Sequence, residues 1–322
     1  MKRLLGLLVS LVLLTGLLSG CGGTPAKKGA GILKNAPGQE MKESAWPRTI
    51  IDAAGNKVLL KQPPQRIALL HSLYLEHFFA LGTPPTASMG ASAGTAMKVL
   101  QTWETLKPFA KTADVMDLGS SRDLNLEAVL AANPDVIVTF KGRHVEKVYD
   151  QLVQIAPVIL VDFSASWQDQ TMACAEIVGR EGFARDFIKE AETIIAMAKE
   201  NLSQHKNKTM ALFRTDGKSF ISRGNRQYYE TFGISKPAGY PDDYESMSLE
   251  AVAEMNPDYI VFQDSREMAR AFVKNQEAWA IWQELDAVKQ GHVFYFDDSL
   301  NTFGPLAMRL TADKLVEIYS GP

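Results

Sequence analysis

The apolar positions of the chain fall into three patterns. One is an unbroken stretch from Leu4 to Leu18, behind a basic tip of Lys2 and Arg3. It is shorter than the ~20 residues that span a bilayer. Basic tip, apolar middle and small residues, in that order, make a secretory signal. The second pattern is a set of short continuous runs: Arg66 to Leu70, Asp135 to Phe140, Val158 to Phe163, Thr209 to Phe213, Phe220 to Arg223, Tyr259 to Gln263 and His292 to Phe296. Such runs read as strands of buried parallel sheets. The third has helical spacing. It covers Tyr74 to Leu81 before Gly82, Trp167 to Gln204, and Leu306 to Tyr319.

Strand and helix therefore alternate, which predicts an α/β architecture. Three segments depart from the rhythm. Gly22 to Ala45 is rich in Gly, Pro, Lys and Ala without periodicity, the composition of a flexible tether. Arg48 to Asp52 and Lys57 to Lys61 flank Ala-Ala-Gly-Asn, the signature of a hairpin. Trp167 to Gln204 is a long charged helical segment with a break near Gly179 to Gly182. Its second part, Phe183 to Leu202, would be roughly 30 Å long at ~1.5 Å per residue.

An internal repeat organises these elements. Leu126-Glu-Ala-Val-Leu-Ala-Ala-Asn-Pro-Asp-Val-Ile-Val138 and Leu249-Glu-Ala-Val-Ala-Glu-Met-Asn-Pro-Asp-Tyr-Ile-Val261 match at nine of thirteen positions, 123 residues apart. Leu-Glu-Ala-Val builds a helix, Asn-Pro stops it, and the apolar run is the next strand. A weaker echo pairs Arg66-Ile-Ala-Leu-Leu-His71 with Thr209-Met-Ala-Leu-Phe-Arg214. Two copies around one long helical region predict two Rossmann-like α/β lobes joined by a rigid helix. Open α/β sheets bind ligands beyond the carboxyl ends of their strands, so the ligand is expected in a cleft between the lobes.

Composition narrows the function classes. Net charge is −3, and −5 once the signal with Lys2 and Arg3 is removed. No basic run with interleaved aromatics suggests nucleic acid. The two cysteines, Cys21 and Cys174, play different parts. Leu18-Ser-Gly-Cys21 resembles the bacterial lipoprotein box, in which the Cys thiol is acylated and becomes the new N-terminus. That places the mature protein on a membrane, lipid-anchored at its extracytoplasmic face. Cys174 is then alone, in an apolar helical pattern, and reads as a small buried hydrophobe. The histidines show no pair with metal-ligand spacing, so no protein metal site is expected; His71 or His144 as a haem ligand is the minority case. An extracellular hydrolase is the competing class. No Gly-x-Ser-x-Gly elbow, Walker loop or dinucleotide fingerprint is expected, and Gly119-Ser-Ser lacks a nucleophile elbow's context.

The chain resembles the helix-linked class of bacterial substrate-binding lipoproteins that deliver iron-siderophores, haem or cobalamin to ABC importers. The resemblance rests on Pro64-Gln-Arg-Ile67, Glu76 to Gly82, the Leu126 repeat with Asn133-Pro-Asp, Leu285-Asp-Ala-Val-Lys-Gln-Gly-His-Val-Phe294 and Gly304-Pro-Leu. It implies a signal peptide at 1–20, a lipidated tether at 21–46, an N-terminal lobe at 47–166, a linking segment at 167–204 and a C-terminal lobe at 205–322. It also implies a monomer without catalytic residues or intrinsic cofactor, which captures an Fe(III)-siderophore and docks on a membrane permease. Haem or cobalamin is the alternative cargo. Docking in this class uses a surface glutamate on each lobe. Glu76, six residues before Gly82, takes the first position. Gln227 stands at the equivalent second position, so Glu230, one turn on, is its substitute.

Ligand-binding side chains should follow strand ends. Lys141, Arg143 and His144 come after Phe140, and Arg266 comes after Gln263. The repeat pairs Arg143 with Arg266. Arg214 and His71 end equivalent strands, Arg223 and Arg226 flank a Gly-Asn turn, and Arg309 follows the Asn301-Thr-Phe-Gly loop. Several arginines on an acidic protein point to an anionic ligand, since the planar fork suits carboxylate or catecholate oxygens. Trp167, Tyr228, Tyr240, Tyr244 and Phe303 are the candidate aromatic walls. Arg66 reads as structural.

Overall fold

A computed structural model describes residues 45–90, 95–120, 124–223 and 226–321, without the side chains of Arg143, His144 and Arg226. The signal, Cys21 and the tether before residue 45 lie outside the described residues. The chain enters through a hairpin of β1 (Arg48–Ile51) and β2 (Lys57–Leu60), paired antiparallel. Asp52 fixes it. Its Oδ1 accepts from Ala54 N and Asn56 N, each at 2.9 Å, and its Oδ2 from Leu160 N at 3.3 Å. The hairpin is thereby tied to the edge of the first sheet.

That sheet runs β3 (Ile67–Leu69), α1 (Leu75–Ala80), β4 (Ala87–Gly90), α2 (Ala96–Thr102), β5 (Met116–Ser120), α3 (Leu126–Ala131) and β6 (Val136–Phe140). It closes with α4 (Arg143–Glu146), α5 (Tyr149–Ile155) and β7 (Val158–Val161). All pairs are parallel, in the order β5-β4-β3-β6-β7. The order reverses between β3 and β6, the position where such sheets bind ligands.

The second sheet contains β8 (Met210–Thr215), β9 (Phe220–Ser222), α8 (Arg226–Phe232), β10 (Ser246–Met247), α9 (Leu249–Met255) and β11 (Tyr259–Gln263). It continues with α10 (Arg266–Gln276), α11 (Ala280–Gln283), α12 (Asp286–Lys289) and β12 (Val293–Phe296). The order is β10-β9-β8-β11-β12, with β9 and β10 antiparallel. Here the switch lies between β8 and β11.

Both repeat echoes are visible in the registers. Ile67 pairs with Val136, and Met210 pairs with Tyr259, so the two weak copies sit beside the two strong ones in the same way. The Asn-Pro-Asp stops also behave alike. Asn133 and Asn256 take positive φ, 45° and 38°. Asp135 then accepts from Arg66 N at 2.7 Å, and Asp258 from Thr209 N at 2.8 Å. Each aspartate thus pins the start of the neighbouring strand. Arg66 is structural, its Nε donating to Asn133 O.

The long segment is two helices, α6 (Trp167–Val178) and α7 (Glu181–Leu202), separated by Gly179 at φ +72°. Only glycine adopts that left-handed cap at little cost. Cys174, Ala175, Ile177 and Val178 of α6 belong to the first-lobe core, so α7 is the helix that joins the lobes. Helix α13 (Pro305–Ser320) packs along it, with Arg309 Nη2 3.3 Å from Glu190 of α7. Ala80 of α1 meets Phe187 and Ala191 of α7. The second lobe's core is aromatic, with Phe213, Phe220, Phe262, Phe272 and Trp282 in mutual ring contact or stacked through Phe220.

Candidate ligand cleft

Two hydrogen bonds join the first lobe to the segment that follows β12 in the second. Glu76, on α1, accepts from Ala307 N at 3.0 Å, and Glu104 N, after α2, donates to Asp297, just beyond β12, at 2.9 Å. Gly304 allows the approach, because a Cβ there would lie 2.5 Å from Glu76 Oε2.

The first lobe offers an apolar edge with one polar ring. His71 follows β3 and sits edge-on to Phe140, 5.2 Å between centroids, and Phe140 contacts Phe163 at 5.1 Å. Phe163 is exposed. Burial lowers the pKa of His71, which favours the neutral ring. Its Nδ1 accepts from Leu73 N at 3.1 Å, so Nε2 carries the proton and is the ring's donor. Lys141 is exposed at the end of β6, and the backbone of Arg143 opens α4.

The second lobe offers cations. Arg214, on β8, bonds Asp264 through Nε and Nη2, each at 3.3 Å, and reaches Asp298 at the same distance. Arg223 follows β9 and differs. It is 4 % exposed, its Nε has no hydrogen-bond partner, and no described carboxylate lies within ion-pair distance. Its guanidinium lies over the rings of Tyr244 and Phe303, at 4.7 and 5.1 Å. Burial, then the charge of Arg214, lowers its pKa to about 10, so it remains a cation at neutral pH. Phe303 is held against it at φ +49°, a rare conformation for a bulky residue. Arg223 is thus buried and stacked on two rings, with no ion-paired carboxylate among the described residues and with Asp298 offsetting its charge from farther off.

Several sequence expectations change here. Tyr228 and Tyr240 are 2 % and 5 % exposed and do not form cleft walls. Tyr228 packs on Phe232 and Phe303. The Tyr240 hydroxyl accepts from Arg223 N and donates to Leu212 O, bracing the strand beneath the site. Arg309 lies on α13 against α7, stacked over Phe187. Trp167 is half-buried and packs on the second-lobe core and on the α7 cluster. Arg266 heads α10, with Nη2 2.7 Å from Glu104 Oε2 of the first lobe. The repeat partner's side chain, that of Arg143, lies outside the described residues. Glu76 has no exposed surface, so it is not a surface docking residue. Burial raises its pKa to about 7 against the hydrogen bond from Ala307 N. Glu230 is exposed on α8.

The sequence reading missed Phe140, Phe163 and Glu104. The two phenylalanines end strands that it had marked as wholly buried, and only the fold shows that their ends are open. A Gly-x-Ser-x-Gly string does occur, Gly90-Ala-Ser-Ala-Gly94, at the end of β4. Its residues 91–94 lie outside the described ones. Of the histidines nearest in sequence, His71 accepts from Leu73 N and the buried His77 is 2.9 Å from Thr171 Oγ1.

A periplasmic binding protein model matches residues 67–300, the span from β3 to the loop after β12. The chain belongs to the periplasmic binding protein family. It is 24 % identical over 330 residues to the Fe(3+)-citrate-binding protein YfmC of Bacillus subtilis, covering 99 % of this chain and 98 % of the relative. It is 26 % identical over 281 residues to the probable siderophore-binding lipoprotein YfiY of the same organism, covering 79 % and 82 %. Among solved structures, Staphylococcus aureus SirA complexed with staphyloferrin B superposes with a TM-score of 0.68 at 22 % identity, over 85 % of this chain and 98 % of that one. Bacillus subtilis FeuA complexed with ferri-bacillibactin gives 0.68 at 21 %, over the same shares. These likenesses carry the two-lobed fold of the family.

Proposed function

We propose that this protein captures an anionic Fe(III)-siderophore between its lobes and hands it to an ABC permease, tethered to the membrane through lipid on Cys21. The iron arrives as cargo, wrapped by its chelator. Arg223 carries the proposal: a buried guanidinium with no ion-paired carboxylate among the described residues, lying over Tyr244 and Phe303 just after β9 of the second sheet. Arg214 beside it, and Lys141 and the Nε2–H of His71 on the facing edge, complete a mixed aromatic and cationic surface. That mixture suits a chelate with an apolar frame and peripheral carboxylate or catecholate oxygens. The relatives named for ferric citrate and siderophores support the choice of cargo.

For docking, the repeat offers a better pair than Glu76 and Glu230. Glu127 and Glu250 occupy the same position in the two copies, in the first turns of α3 and α9, and both are exposed. Each helix feeds its strand's amino end, so its own start lies toward the carboxyl edge.

The test is titration of the mature protein with a panel of ferric chelates, followed by tryptophan fluorescence. Ferric dicitrate, ferri-catecholate and ferri-hydroxamate probes are compared with haem and cobalamin. At least one anionic ferric chelate should bind, and Arg223→Met should weaken it about ten- to a hundredfold, as loss of a charge-assisted hydrogen bond requires. Haem or cobalamin binding with no response to ferric chelates would replace the proposed cargo.

A further inference from the structure

One carboxylate stands where the ligand's charge is expected. Glu104 follows α2 in the first lobe, between Trp103, which packs on the first-lobe core, and the buried Leu106. Its Oε2 meets Arg266 Nη2 at 2.7 Å and its Oε1 meets Lys314 Nζ at 2.9 Å. Its backbone N–H reaches Asp297 at 2.9 Å. Among the described residues, the ion pairs that run from the first lobe to the second both end on this side chain. Its position is fixed by the first lobe, and its two charge partners belong to the second.

The surroundings give this arrangement a consequence for the ligand. Arg214 is compensated within its own lobe by Asp264 and Asp298. Among the described residues, the ion pairs of Arg266 and Lys314 both run to Glu104 of the other lobe, although Asp313 on α13 also attracts Lys314. Arg266 is nearly half exposed, at 46 %, while the Lys314 side chain is 15 % exposed and lies over Phe296. An anion entering the cleft can therefore reach Arg266 and compete with Glu104 there, whereas Lys314 keeps hold of the carboxylate's other oxygen. A carboxylate already in place also repels the incoming one.

We propose that Glu104 is the cleft's resident counter-anion, a selectivity residue that occupies Arg266 until an anionic group of the ligand replaces it, and so limits the negative charge the site accepts. The proposal rests on the chelate-binding reading above. It makes Glu104 both a latch between the lobes and a tethered competitor, and the two consequences are separable. Loosening the latch changes affinity for every ligand alike. Removing the competitor favours anionic ligands only.

The experiment compares the mature wild-type protein with Glu104→Gln, which keeps size and polarity and removes the charge. Both are titrated with ferric dicitrate, an anionic probe, and with ferrichrome, an uncharged one. Amide hydrogen exchange is followed in peptides covering 103–106 and 297–304. The ratio of ferric dicitrate to ferrichrome affinity should rise roughly fivefold in the variant, and the rise should shrink in 1 M salt. Exchange in both peptides should quicken. An unchanged ratio, or equal changes for both probes, overturns the competitor role. If neither probe binds, the anionic ferric chelate of the panel above that does bind takes the place of ferric dicitrate; if none of the panel binds either protein, the chelate reading and the competitor role both fail, and exchange alone then judges the latch: unaltered exchange in both peptides overturns it.

Discussion

At the scale of the residue, two buried ionisable groups respond differently to substitution. Arg223 lies over two rings with no ion-paired carboxylate among the described residues, so its desolvation is only partly offset. Arg223→Met should stabilise the ligand-free protein by about 1–3 kcal/mol while weakening chelate binding; urea denaturation measures the first. A loss of stability would mean that the stacking contributes more than the desolvation costs. Glu76 is buried against the amino end of α13, and burial raises its pKa to about 7 from 4.5. The folded state therefore holds a proton that the unfolded chain has released. Stability from this group is full below about 4.5 and falls as pH rises toward 7. Glu76→Gln can still accept from Ala307 N but has nothing to titrate. Its stability should not show that decline between pH 5 and 7.5, and a decline equal to that of the wild type would remove Glu76 as the cause.

At the scale of the element, the repeat explains itself physically. The Asn turn ends the helix in a left-handed conformation, Pro prevents its continuation, and Asp binds the backbone of the adjacent strand. Asp258 also receives Lys208 Nζ at 2.8 Å and Thr209 Oγ1 at 3.2 Å. Asp258→Ala should cost about 1–3 kcal/mol, as expected for unpaired backbone groups at a strand start, again read by urea denaturation. Asp135→Ala should act alike in the first lobe. An effect below about 0.5 kcal/mol at both positions would make the motif a mere spacer. These elements were legible in the sequence because helix stops, apolar runs and turn residues are local signals. The long segment from Trp167 was legible as helix, yet its division of labour was not: apart from Trp167, α6 joins the first-lobe core, and α7 runs from one lobe's core to the other's. Which core a helical face enters depends on a partner distant in sequence.

At the scale of the whole molecule, one helix joins the lobes, and α13 and α1 brace it through Arg309, Glu190, Phe187 and Ala191. On the docking proposal above, Glu127 and Glu250 at the starts of α3 and α9 are the matched contact points for the permease. In proteoliposomes carrying the cognate permease, the Glu127→Gln, Glu250→Gln double variant should lose stimulation of ATP hydrolysis by the loaded protein while keeping its chelate affinity. Each single variant should lose part of it. Glu76→Gln and Glu230→Gln should stimulate normally. Normal stimulation by the Glu127, Glu250 double variant would place docking elsewhere.

The amino-acid sequence by itself determined the α/β class, the two matching halves and the positions of most strands, though not of β4, β5 and β10, since each depends on neighbours a few positions away. It could not decide which residues meet a ligand. Tyr228, Tyr240 and Arg309 look like Arg223 in a sequence of loops and helix starts; only the packing of the second lobe sets Tyr228 on Phe232, ties Tyr240 to Leu212 and turns Arg309 toward α7, while the equally buried Arg223 lies over Tyr244 and Phe303 with no ion-paired carboxylate among the described residues. The same holds for Glu76, sunk against Ala307, and for Glu104, whose companions Arg266 and Lys314 stand far along the chain. Burial and charge pairing are properties of surfaces brought together by the fold, and no local pattern records them.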